Sequence, residues 1–211
     1  MLPIDLPVLG AFVIASGAIV MSPGPDTILI IRYTLSSGQR VGFATVFGVQ
    51  LGLLVHTALA VAGVSVIIAS SPTLFRIVAV AGAAYLGWLG LQGFRGGGGA
   101  LSINGGGSAV GSAKACRDAI LTNILNPKVI VLFLALFPNF VDTSRGNTTG
   151  QLITLAVTLV VINIFWQAPL AWAAERFRRW LGRPSVQLAV NRGTGLVLLA
   201  FATLMLYEHL L

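Results

Sequence analysis

The chain has 211 residues, of which 56% are hydrophobic and only 9% charged, with a mean hydropathy of +0.91. These values exclude an ordinary water-soluble domain, whose surface needs far more charge. The formal net charge of +7 does not make a nucleic-acid footprint, because the basic residues are dispersed among apolar stretches. Cys116, the single cysteine, provides neither an intrachain disulfide nor a metal cluster.

About 20 apolar residues cross a hydrocarbon core as a helix, and six segments meet that length in chain order. Leu6 to Ile31 is interrupted by Asp26. The N-terminal run lacks a basic leader and a small-residue cleavage site, so it is read as a retained first span rather than a removed signal. Phe43 to Ala69 holds His56 alone, and Ile77 to Phe94 is uncharged. Ala119 to Val141 contains Lys128, Gln151 to Ala174 is uncharged, and Gln187 to Tyr207 contains Arg192. No strand-like alternation supports a barrel. The expected fold is an all-α polytopic membrane protein, a single transmembrane domain over 1–211. Half one covers about 1–95, a glycine-rich cytoplasmic loop about 96–117, and half two about 118–211. The glycine runs are not a nucleotide-binding loop, since no strand precedes them and no Gly-Lys-Ser/Thr follows.

Basic residues orient the chain. Arg32, Arg40, Arg95, Lys114, Arg117, Arg176, Arg178, Arg179, Arg183 and Arg192 fall on one side, against Arg76 and Arg145 on the other. The first side is read as cytoplasmic, which places both termini outside. Three spans per half give the halves opposite topology, so the six helices are expected to form two inverted three-helix repeats.

Two breaks interrupt the apolar pattern. In span one, Ser22-Pro23-Gly24-Pro25-Asp26 removes two backbone donors and should kink the helix. In span four, Pro127 breaks the ladder between Asn126 and Lys128, with Asn123 one turn earlier. Asp26 lies six residues from Arg32, and Lys128 ten residues from Asp118. At about 1.5 Å per residue, both charges lie about 9 to 15 Å from the cytoplasmic ends. Breaks at matching depths of two inverted halves point to a transporter's binding site. Pro23, Gly24, Pro25, Asp26, Asn126, Pro127 and Lys128 are therefore the candidate substrate-binding or gating residues. Two readings of Asp26 and Lys128 stay open, a cavity for a zwitterion and a structural ion pair joining two kinked helices.

Gln50, Asn163, Gln167 and Asn191 are further candidate cavity-lining residues with Asn123, although helix-to-helix hydrogen bonding explains each as well. Arg192 is read as snorkelling to the interface, and His56 as a packing residue. Gly48 and Gly52 on span two, with Gly82, Gly87, Gly90 and Gly93 on span three, permit close helix contact. That contact is assigned to the bundle, with a homodimer face as the alternative. Trp166, Trp172 and Trp180 are read as interfacial anchors, with a cavity role as the alternative for Trp166.

Pro23-Gly24-Pro25-Asp26, the run Ala83-Ala84-Tyr85-Leu86-Gly87-Trp88-Leu89-Gly90, Asn123-Ile124-Leu125-Asn126-Pro127-Lys128, Phe137-Pro138-Asn139-Phe140 and Gly193-Thr194-Gly195 together resemble the LysE/RhtB amino-acid exporters. The resemblance extends over essentially the whole chain, and the glycine-rich and arginine-rich connections look like its variable regions. It implies a secondary transporter of the bacterial inner membrane that exports amino acids or related metabolites, driven by protons. Its partners are then the substrate, protons and the lipid bilayer, with no nucleic acid, cofactor or metal. Asp26 is the proton-coupling candidate, because a carboxylate facing a lysine inside a membrane can change charge during a cycle. An enzyme is disfavoured by the lack of a nucleophile, base or ligand set. A non-transporting receptor or scaffold subunit, or an exporter of a metal or inorganic ion, is the alternative.

Overall fold

The computed structural model describes residues 3–70, 72–94, 109–181 and 183–210. These residues are predominantly helical, with no strand among them. Helix α1 spans Leu6–Met21, α2 Pro25–Ser37, α3 Gln39–Ser70 and α4 Pro72–Phe94. In the second part, α5 covers Ser112–Ile124 and α6 Pro127–Val131, continued by a π-helical turn at Leu132–Leu136 and by α7 at Phe137–Asn139. Helix α8 runs Thr148–Trp172, α9 Ala174–Leu181 and α10 Pro184–Leu210.

Among the described residues helices α3, α8 and α10 are each long and apolar enough to cross a membrane, and two helix pairs bent at a short break meet the same test of length and composition together, for up to five candidate spans. The α1–α2 pair bends by 54° and the pair entering at α5 bends by 58°. Prolines explain both bends: Pro25 and Pro127 each stand in the first turn of the second segment, where a missing N–H costs nothing. In the helix preceding each proline the ladder ends, because the ring clashes with the carbonyl four residues back.

Several boundaries differ from the sequence expectation. Lys114 and Arg117, assigned to the loop before span four, lie on the first turns of α5. The Lys114 ammonium bonds the Asp118 carboxylate at 2.6 Å, one turn ahead, which supports helix where composition suggested loop. The arginine-rich fifth connection is also helix, since it contains α9. The glycine-rich segment falls outside the described residues over 95–108.

The core lies between the two parts. Phe12 of α1 meets Phe137 and Phe140 edge-on, at ring-centroid distances of 5.4 and 5.3 Å, and Leu53, Leu86, Leu136, Leu155 and Leu159 close around them. Close approach depends on glycine. A Cβ at Gly48 would lie 2.3 Å from the Cys116 carbonyl oxygen of α5, and one at Gly90 2.9 Å from the Gly195 carbonyl oxygen of α10. The expected small-residue contacts at Gly48, Gly52 and Gly90 thus lie inside the bundle. Gly87 makes only ordinary contact with Ala202, and the surroundings of Gly82 and Gly93 fall outside the description.

Candidate functional site

Breaking a helix in an apolar interior exposes carbonyls at the end of its first segment and amides at the start of its second. The two broken spans cross so that each supplies what the other lacks. Helix α1 ends at Ser22, whose carbonyl oxygen accepts a 2.5 Å hydrogen bond from Lys128 Nζ in the other break. A cation there faces the negative end of the α1 dipole. Asp26 stands in the first turn of α2, where the helix dipole favours a carboxylate.

Asp26 is held from the other break as well. Its Oδ2 accepts from Asn123 Nδ2 at 2.9 Å and from Asn126 Nδ2 at 3.3 Å. Asn126 also caps α6, its Oδ1 accepting from the Lys128 backbone N–H at 3.1 Å. Such a cap satisfies an orphan amide created by the Pro127 break. Asp26 Oδ1 is buried and has no hydrogen-bond partner, and the same holds for the neighbouring Asn123 Oδ1 and Gln50 Oε1, so the site holds several uncompensated acceptors.

Asp26 and Lys128 do not form a direct ion pair in this conformation: Asp26 is bound by two amides and Lys128 by the Ser22 carbonyl. The direct contact that a static ion pair needs is absent between these two side chains, and each is bonded to groups of the opposite break instead. Both nonetheless line one small cavity of about 30 Å³, with Gly24, Thr27, Asn126, Asn163 and Gln167 as polar neighbours and Ile19, Leu53, Val129 and Leu159 among the apolar ones. That volume suits a water or two and is far below that of an amino acid.

Of the candidates, Gly24, Asp26, Asn126, Lys128, Asn163 and Gln167 meet at this cavity. Asn123 stands behind Asp26, and Gln50 stands behind Gln167, donating to its Oε1 at 3.0 Å. Pro23 and Pro25 frame the break without lining the space, and the Pro127 side chain falls outside the description. Asn191 lies on α10, half-buried and away from the cavity. Sequence reading missed Thr27, although its place beside Asp26 in the first turn after a break was a usable signal. It also missed the Ser22 carbonyl, which residue type cannot reveal. His56 touches the edge of the site, its Nε2 3.2 Å from the Asn123 carbonyl oxygen, and stacks on Phe133.

Polar links join the two parts at both ends of the bundle. Tyr33 donates to Asp118 Oδ2 at 2.7 Å, where Lys114 also binds. At the other end Arg145 pairs with Asp5 at 2.5 Å and lies 3.5 Å from Asp142. Hydrogen bonds from the Ser144 hydroxyl and backbone hold the Asp142 carboxyl below its ordinary range. Among the described residues no three His, Cys, Asp or Glu side chains converge as metal ligands.

The chain is 32% identical over 185 residues to the homoserine/homoserine lactone efflux protein of Salmonella typhi, covering 88% of this chain and 89% of that one. It is 30% identical over 207 residues to the leucine efflux protein of Enterobacter sp. (strain 638), covering 94% of each. Identity to the threonine efflux protein of Escherichia coli (strain K12) is 30% over 172 residues, covering 77% of this chain and 84% of that one. No solved structure matches significantly. The model of the LysE type translocators matches residues 18–209, a span that includes both helix breaks, and the chain belongs to that family of membrane transporters, not to an enzyme family.

Proposed function

We propose that this protein exports amino acids with uncharged side chains, or closely related metabolites, from the bacterial cytoplasm across the inner membrane. The observation that carries this reading is the interlocking of the two helix breaks, which sets one carboxylate and one ammonium around a single buried cavity. A zwitterion needs one of each. The substrate carboxylate goes to Lys128 and the α2 and α6 amides, and its ammonium to Asp26 Oδ1 and the carbonyls ending α1 and α5. Among the described residues Asp26 and Lys128 are the only charged ones lining the cavity, so a charged substrate side chain would be buried unpaired at high cost. The names of the efflux relatives, which refer to homoserine, leucine and threonine, agree with that preference.

Architecture supports the same reading. With α4 counted as a span, the protein is six transmembrane helices in two inverted halves, divided as the sequence suggests at about 95 and 118. The packing pairs like with like: α4 lies on α10, α3 on α8, and α3–α5 is mirrored by α1–α8. Both termini face outward, and a homodimer would form through lipid-facing helix surfaces. Protons drive export through Asp26, whose partnerless Oδ1 accepts a proton in one half of the cycle and the substrate ammonium in the other. Gly24, Asn126, Asn163 and Gln167 complete the lining, Asn123 and Gln50 hold it from behind, and Pro23, Pro25 and Pro127 maintain the breaks. Metal export lacks a ligand cluster among the described residues.

Counterflow of labelled leucine, threonine, homoserine, lysine and glutamate into proteoliposomes, with and without a pH gradient, tests the proposal. Uptake of the first three, enhanced by the gradient, is expected. Equal uptake of lysine would refute the charge argument, and no uptake of any amino acid by folded protein would favour a receptor or scaffold role.

A further inference from the structure

The short helix α9 is joined to α8 through Ala173 alone and to α10 through residues 182–183. Two connections this short hold α9 at the end of two spans, where bilayer core gives way to headgroups. Its two faces differ sharply. Ala174 and Phe177 pack inward with Ile30, Ile31, Leu170 and Ala171, while Arg176, Arg179 and Arg183 are exposed. Trp172 is 69% exposed and Trp180 38%. Tryptophans at this level are suited to the membrane interface, where one edge is apolar and the other wet.

The arginines do not simply fan into solvent. Arg176, Arg179 and Arg183 line a surface groove of about 750 Å³ whose floor is Phe177 and Trp180. Glu175 lies 3.6 Å from Arg179, but among the described residues the groove's lining carries three guanidinium groups and no carboxylate, so it stays positive. Guanidinium forks match phosphate oxygens, and an aromatic floor accepts the glycerol and first acyl carbons.

We infer that this groove is a binding site for the headgroup of an anionic phospholipid, which anchors α9 and, through it, the arginine-bearing end of α8 and α10. Helix α9 also packs against α2, and Gln39 at the α2–α3 junction donates to the Trp172 carbonyl at 2.8 Å. A lipid seated there therefore braces the helix that carries Asp26. The site does not depend on which solute is transported.

Titration of the detergent-solubilised full chain with phosphatidylglycerol or phosphatidylcholine, read by native mass spectrometry and thermal denaturation, tests the inference. Phosphatidylglycerol is expected to be retained and to raise Tm above the value in phosphatidylcholine. The variant R176Q/R179Q/R183Q should lose affinity for phosphatidylglycerol on the order of 100-fold, since each basic residue beside an anionic surface contributes several-fold, with its Tm in phosphatidylcholine unchanged. Should that variant not fold, R183Q alone and a salt titration of the wild type replace it, and salt should erase the phosphatidylglycerol advantage. Equal effects of the two lipids on wild type, or a full phosphatidylglycerol effect in the variants, would overturn the inference. So would equal stabilisation by glycerol 3-phosphate, which would make the groove a site for free anions.

Discussion

Asp26→Asn separates the shape of the site from its charge. The amide oxygen can keep the Oδ2 position and accept from Asn123 and Asn126, as the carboxylate does at 2.9 and 3.3 Å, while the amide nitrogen takes the place of the partnerless Oδ1. Hydrogen bonds to a charged acceptor contribute about 1 kcal/mol more than neutral ones, so two weakened bonds cost about 2 kcal/mol. Removing a buried charge returns a desolvation penalty of similar or larger size. The net change in stability is expected within about 2 kcal/mol, and Tm should move by only a few degrees. Transport should fall much further. Losing the buried partner of a substrate ammonium costs about 3 kcal/mol, or roughly a hundredfold in rate or affinity. Counterflow and gradient-driven uptake in proteoliposomes, beside a thermal melt of the same preparation, read both quantities. Loss of gradient-driven uptake with intact counterflow would assign Asp26 to coupling alone. Retention of a third or more of both activities by a folded variant would refute its role at the centre of the site.

Lys128→Met should raise the substrate concentration for half-maximal counterflow at least tenfold; it also leaves the Ser22 carbonyl without its donor, for about 1 to 3 kcal/mol of stability measured by denaturation. Gly48→Ala places a methyl 2.3 Å from the Cys116 carbonyl oxygen, whereas at Gly17 nothing lies within 4 Å. The first substitution should destabilise by about 1 to 3 kcal/mol and the second should be neutral or slightly stabilising, a contrast that thermal melts of the two variants check. At the exposed clasp, a double-mutant cycle over Asp5→Asn and Arg145→Gln should give a coupling of about 0.2 to 1 kcal/mol in stability.

Much of this organisation was legible because lipid leaves few alternatives. Uninterrupted apolar length called for helices, and proline within such a run called for a break at Pro25 and Pro127. Asp26, Lys128 and the amides near them could be singled out because polar groups in apolar spans need partners. Pairing was not legible. Nothing in residue type tells that Lys128 caps the Ser22 carbonyl instead of meeting Asp26, since the carbonyl becomes available only through the crossing geometry. The helix α9 was hidden for a different reason: eight residues are too few for a composition window, and arginines in a connection look alike whether coiled or helical. Asn191 lies away from this cavity, since a polar residue near a span's end has water and headgroups within reach and need not turn inward.

The crossing of the breaks also constrains how the site can open. Lys128 is attached to the end of α1 and Asp26 to the segment between α5 and α6, so each charge belongs to one half of the chain but is held by the other. A substrate carboxylate that draws Lys128 from Ser22 therefore frees the end of α1, and an ammonium that engages Asp26 competes with Asn123 and Asn126. Under the proposed function, binding would loosen the contacts between the halves at the cavity and replace them with contacts through the substrate. Since about 30 Å³ cannot admit an amino acid, the proposed exchange would accompany a separation of the halves at one end, where either the Tyr33–Asp118 link or the Arg145–Asp5 link would part. In the proposed cycle the zwitterion's own charges would supply the interactions surrendered by the lysine and the aspartate, so that a substrate with both charges would drive the change while a solute lacking either one would leave a buried group unpaired.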